Sequence, residues 1–146
     1  MAKYDHKLEN AAIVVQNRQR AEDQVNRLDL DTKGIYFYTP DRTVLTYPEL
    51  DEEGAVCGRT VVTVVSSDLV TVQKSGFAEC KMVFETGKAH LATYDTPLGS
   101  MDMIATALEV TPRLGPGGGV LRLHSLLDTS DGIIADNLME IRVSML

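Results

Sequence analysis

His90 and Tyr94 stand four residues apart in a run that alternates in polarity. Residues two apart share a strand face, so His90, Ala92 and Tyr94 point the same way. Met82 and Phe84 precede them across a turn at Gly87. Turned inward, an imidazole and a phenol beside a thioether and a ring could hold a small, partly apolar ligand by hydrogen bonds. The competing arrangements are a filled core with two satisfied polar tips, or a pair that faces outward.

Other residues carry the letters of catalysis without its geometry. His124, Ser125 and Asp128 fall within five positions. Neighbouring strand residues face opposite sides, so His124 and Ser125 do not share a hydrogen bond easily, and no G-x-S-x-G elbow is present. The three histidines, His6, His90 and His124, show no H-x-H or H-x-x-x-H spacing. The acidic run Glu49-Leu50-Asp51-Glu52-Glu53 lacks the alternating ligands of a calcium loop and reads as a solvated loop. No metal and no cofactor are expected.

Gly115-Pro116-Gly117-Gly118-Gly119 lacks the Lys-Ser/Thr and the following helix of a phosphate-binding loop. A wide hairpin connection accounts for it, and its five residues could still form a mobile rim at a barrel mouth. Tyr36, Phe37, Tyr38 and Tyr47 could stack on bases. Around them Lys33, Arg42 and Arg59 are outnumbered by Asp41, Glu49, Asp51, Glu52 and Glu53, which argues against nucleic acid. With Tyr36 and Tyr38 alternating with Phe37, both faces of that strand carry rings, one of which could pack on a second subunit.

The elements that position these residues are strands. Turn signals recur at Asp31-Thr32-Lys33-Gly34, Thr39-Pro40-Asp41-Arg42, Ser66-Ser67-Asp68, Lys74-Ser75-Gly76, Glu85-Thr86-Gly87-Lys88 and Asp95-Thr96-Pro97-Leu98-Gly99. Their spacing of roughly 8–12 residues is that of a sandwich or barrel. The β-forming runs between them are 11–19, 24–30, 35–38, 43–47, 59–65, 69–73, 77–84, 88–94, 101–110, 120–127 and 138–145. Some of these join into one bent strand, giving about 8–10. Alternation puts Met139, Ile141 and Val143 on one inner face, and Leu121, Leu123, Ser125 and Leu127 on another. Ile104, Thr106, Leu108 and Val110 read as a third inner row. Closing the sheet removes unpaired edges, which favours a barrel over a sandwich.

Bulk properties agree with one globular domain. The chain has 146 residues, 44% hydrophobic and 24% charged. A net charge of −7 disfavours nucleic acid and anionic membranes as partners. The apolar run from Ala11 to Val15 is too short for a secretory or membrane segment. Cys57 and Cys80 form no CxxC pair and read as reduced thiols of a cytoplasmic protein.

A longer series of residues resembles a known family. It runs from Lys81-Met82-Val83-Phe84-Glu85-Thr86-Gly87 to Tyr94-Asp95-Thr96-Pro97-Leu98-Gly99. Ile104, Thr106, Leu114, Gly118-Gly119, Leu121-Arg122-Leu123 and Asn137 continue it, and Gly34, Leu45-Thr46-Tyr47 and Gly76 fit upstream. The series resembles the YwiB-like family of small bacterial proteins, a domain of unknown function. The resemblance covers residues 11–146 and leaves 1–10 as an N-terminal extension. It implies an all-β fold: a single antiparallel, up-and-down-like closed barrel, similar to the calycins and lipocalins. It implies no activity. Ser125 stands where family members often carry Tyr, which implies a larger or more polar pocket if that Tyr lines one.

The reading that follows is a non-enzymatic barrel that binds a small, partly apolar molecule. Its lining is expected from Met82, Phe84, His90, Tyr94, Thr106 and Ser125. The alternative is an interaction protein with a filled barrel that self-associates, as a homodimer for example, or binds a protein partner. A third reading, a hydrolase or isomerase, requires a carboxylate within hydrogen-bond reach of His90.

Overall fold

The computed structural model describes residues 8–129 and 132–146. His6, with the rest of 1–7 of the expected extension, lies outside the described residues. Ten strands follow in order: β1 (Ala11–Ala21), β2 (Gln24–Tyr38), β3 (Thr43–Leu50), β4 (Val56–Ser66), β5 (Leu69–Gly76), β6 (Cys80–Glu85), β7 (Ala89–Thr96), β8 (Gly99–Gly115), β9 (Gly118–Thr129) and β10 (Ile134–Met145). The run at 101–110 is indeed strand, as part of β8. No helix among the described residues is long and apolar enough to cross a membrane.

The strands form one sheet in the order β6-β5-β4-β3-β2-β1-β10-β9-β8-β7, antiparallel throughout. Sequence neighbours pair, and β1 against β10 joins the two ends of the chain. The sheet's two edges, β6 and β7, are themselves consecutive and face each other across a seam. One isolated bridge, Glu79 to Asp95, crosses it, with N–H···O distances of 2.8 and 2.9 Å. The barrel is therefore nearly closed rather than fully closed. At the chain's start, Asn10 is tied into it: its side-chain amide donates to the Tyr36 carbonyl at 2.9 Å and accepts from the Tyr36 N–H at 2.7 Å.

Inward rows from all sides fill the interior. Ile13, Leu45, Val62, Val70, Val72, Phe84, Leu121, Leu123 and Ile141 are fully or almost fully buried in one cluster. The rows from β9 and β10 are the ones alternation predicts. Each such side chain contributes roughly 1.5–3 kcal/mol by leaving water. Ala11, Ala105 and Ala107 supply the small partners that let the large residues interdigitate.

The row predicted on β8 is wrong in phase. Met103, Ala105 and Ala107 are the buried residues, while Ile104 and Leu108 are exposed and Thr106 lies on the outer side with them. A bulge between Ala107 and Glu109 inserts one residue. Val110 is therefore inside, and counting back from it by twos lands on the wrong face. Thr106 is thus removed from the expected lining.

Three expected turns also change, one of them Lys74-Ser75-Gly76, which lies within β5. Asp31-Thr32-Lys33-Gly34 lies inside the continuous strand β2. A Cβ on Gly34 would sit 2.2 Å from the Thr46 carbonyl oxygen and 2.6 Å from Ile13 Cδ1. Glycine is there for a close approach of β3, not for a turn. The Gly-rich segment is a tight turn rather than a wide connection, because Gly115 and Gly118 pair around Pro116-Gly117. Gly118 and Gly119 press on the Val143 and Arg113 carbonyl oxygens, 2.2 and 2.1 Å from a hypothetical Cβ, which leaves no cradle for a phosphate.

Gly34→Ala is expected to destabilise the barrel by about 3 kcal/mol, since backbone must move. Gly117, with nothing within 4 Å of its Cβ position, serves as the control and changes stability by less than about 0.5 kcal/mol as Ala. Urea unfolding of both variants checks this; equal midpoints would contradict the close-approach explanation.

Candidate functional site

The barrel has two unlike ends. At one, the Tyr36 hydroxyl donates to the Gly115 carbonyl at 2.7 Å, tying β2 to the β8–β9 turn and plugging the interior. Burial, with the nearby Tyr38, pushes the Tyr36 phenol above its ordinary pKa, so it stays protonated and able to donate. At the other end gather the β1–β2, β3–β4, β5–β6, β7–β8 and β9–β10 connections. This second end is the mouth.

A recess of about 320 Å³ opens in the mouth, lined by Gln19, Ala21, Tyr94, Met101, Met103, Leu127, Thr129, Ile133 and Ala135. Behind it lies a small cluster of Cys80, Ala92 and Met103, packed with Met82, Tyr94 and Leu127. Burial pushes the Cys80 thiol up, and the Lys74 charge opposes this in part. A thiol so placed is a packing group and a poor nucleophile.

A second hollow of about 140 Å³ adjoins, lined by Glu49, Cys57, Gly58, Lys74, Ser75, Phe77, Ala78 and Tyr94. Tyr94 belongs to both walls. Here the Lys74 ammonium lies 3.4 Å from Glu49 Oε1, and the Thr60 hydroxyl donates to the same oxygen. Burial first, and the Glu49 charge second, raise the neighbouring Tyr47 phenol well above its ordinary pKa. The mouth therefore has an apolar side built on methionines and a charged side built on a half-buried ion pair.

The expected lining separates along the barrel. Tyr94 lies at the mouth. Met82 packs beneath it, between the two clusters. Phe84 and Ser125 are buried in the packed interior. The Ser125 hydroxyl finds no hydrogen-bond partner among the described residues, and neither hollow reaches it. His90 shares the inner face of β7 with Tyr94, but near the opposite end. Its Nε2 lies 3.0 Å from Glu85 Oε1, while Lys88 Nζ lies 3.1 Å from Glu85 Oε2.

Glu85 is thus the carboxylate that the third reading required. It serves as a clasp across the β6–β7 turn, outside both hollows. His124 bonds Asp136 at 2.8 Å, on the face opposite Ser125, so the triad letters do not assemble. Among the described residues, no group of three or more His, Cys, Asp or Glu side chains could hold a metal ion.

Sequence reasoning did not place Met101 or Ile133 at a site, and read Glu49 as part of a solvated loop and Lys74 as part of a turn. Glu49 instead lies half-buried in β3 and Lys74 in β5. A signal existed for Glu49, which stands two residues from inward-facing Tyr47 and so shares its face. Met101 and Ile133 are large apolar residues beside turns, where strand ends meet at a mouth.

The clasp gives a pH dependence with a definite sign. Hydrogen bonds from His90 and then Lys88 hold the Glu85 carboxyl below the usual carboxylate range. A depressed carboxylate stabilises the fold above its unfolded pKa, and that contribution is lost as pH falls through the folded one. Wild type is therefore expected to melt higher than Glu85→Gln at about pH 7, with the two curves converging toward about pH 3. Differential scanning calorimetry across that range checks it; a gap independent of pH would contradict the clasp.

No curated protein matches the chain. Its fold is similar to the crystal structure of the ywiB protein from Bacillus subtilis, with a TM-score of 0.77 at 20% identity over 94% of this chain and 92% of that one. A family model described as a domain of unknown function, DUF1934, matches residues 13–141. The ten-stranded barrel and this match over most of its length agree with the resemblance read from the sequence: the chain belongs to the DUF1934 family.

Proposed function

We propose that the protein binds a small amphipathic molecule at the mouth of its barrel, without chemistry on it. One observation carries the reading: Tyr94 joins a methionine-lined recess to a hollow that bears the Glu49–Lys74 pair. A recess of about 320 Å³ falls at the lower end of the roughly 300–1,000 Å³ of small-molecule sites. It suits one short chain or ring system. Met101 and Met103 offer an adaptable, polarizable wall. Lys74 offers a cation to a carboxylate or sulfonate at the ligand's polar end, and Glu49 offers acceptors to a donor. The packed interior favours occupation of the mouth over deep insertion of the lipocalin kind.

Titration with 1-anilinonaphthalene-8-sulfonate, an apolar ring system with one anionic group, tests the reading, with decanoate as competitor. Saturable one-to-one fluorescence enhancement is expected, displaced by decanoate. Tyr94→Ala and Met103→Lys should each weaken binding about tenfold, roughly 1.4 kcal/mol. Lys74→Met should weaken it less and remove its salt dependence. Absence of saturable binding, or equal binding by all three variants, would overturn the proposal.

A further inference from the structure

Strand β2 has different partners along its two halves. Residues 24–34 pair with β1, but β3 pairs only with Ile35–Tyr38. β3 crosses close at Gly34 and departs from there toward β4. Along 24–32 the backbone groups that point away from β1 meet no strand among the described residues. Such an edge is usually blunted by proline, a bulge or a cover. The departing strand β3 has such protection, with Pro48 and a bulge at Glu49/Leu50. The edge of β2 has no proline and no bulge, and it exposes Val25 by 54% and Leu28 by 67%.

Among registers that leave the β3-paired residues Ile35–Tyr38 alone, one matches the charges on that edge. We propose that β2 pairs antiparallel with β2 of a second copy of this chain, about a two-fold axis through Leu28. Arg27 then stands opposite Asp29 of the other copy, twice by symmetry, and Val25 falls opposite Asp31. On the other face Leu28 meets Leu28, and Asn26 meets Leu30, burying the strand's most exposed leucine. Moving the axis to Asp29 sets Asp29 against itself, and moving it to Arg27 sets Arg27 against itself. An axis through Leu30 sets Arg27 against Lys33 and Asp29 against Asp31. Like charges directly opposite are destabilising and opposite charges stabilising, so the Leu28 register is selected. The ladder adds about one backbone hydrogen bond per residue pair, and a two-fold axis makes the contact close on itself as a dimer rather than a fibre.

Size-exclusion chromatography with light scattering on the full chain tests this over a concentration series. Wild type is expected at twice the mass of one chain. Arg27→Asp and Asp29→Arg should each weaken dimerisation at least about tenfold, and the double variant Arg27→Asp/Asp29→Arg should restore it, because the swapped charges face each other again. Leu28→Cys in a Cys57→Ser background should form an intermolecular disulfide under mild oxidation. Circular dichroism confirms that each variant is folded. A monomeric wild type overturns the proposal, as does a dimer indifferent to both single swaps. Folded single variants that the double swap does not rescue overturn the register.

Discussion

Ten strands make a barrel only if the first and last edges of the sheet meet, and here they meet through very little. β6 and β7 are joined by a short turn, yet one isolated bridge near the mouth is their only ladder contact among the described residues. At the other end the turn itself does the closing. The Gly87 N–H donates to the Ala107 carbonyl at 2.9 Å, and the Ala107 N–H donates to the Lys88 carbonyl at 3.3 Å. Ala107 begins the β8 bulge, so the irregular residue in β8 and the clasp around Glu85 belong to one device. Between these two ends the seam is held by side chains, with Phe84 and Met82 on β6 and Ala92 on β7.

That manner of closure decides where space is left. The middle of the barrel is packed, and Tyr36 seals one end. At the mouth the seam is tied only by the Glu79–Asp95 bridge, with Cys80 on one side and Tyr94 on the other just inside it. β2 and β3 part on the far side of the same end. The mouth is thus widened where β2 and β3 part, and a single bridge holds the opposite side of its rim. Ser125 shows the contrast. Its side chain is small, yet its hydroxyl is enclosed by packing and opens onto neither hollow.

Strand periodicity made much of this legible. The inward rows of β9 and β10 follow from the alternation of Leu121, Leu123 and Ser125 and of Met139, Ile141 and Val143. The shared face of His90 and Tyr94 follows in the same way. A bulge carries no comparable mark, so one extra residue at Ala107/Glu109 moved Thr106 to the wrong side. Gly34 reads as a turn residue because turns and close backbone approaches need glycine for the same missing Cβ. Height along the barrel is also hidden from a face assignment. His90 and Tyr94 share a face but lie near opposite ends, so only one of them reaches the mouth. Lys74 and Glu49 became neighbours through pairing across β4, a long-range outcome that local pattern does not encode.

The proposed binding requires a barrel that is packed within and open to a ligand only at the mouth built around Tyr94. Methionines are placed to report on it: Met101 and Met103 in the recess, Met139 in the core and Met145 at the far end of β10. Methyl-labelled methionine NMR during titration with decanoate reads all of them at once. Progressive shifts of the Met101 and Met103 signals, with Met139 and Met145 unmoved, are the predicted result. Shifts led by Met139, or none at Met101 and Met103 up to saturating decanoate, would contradict it.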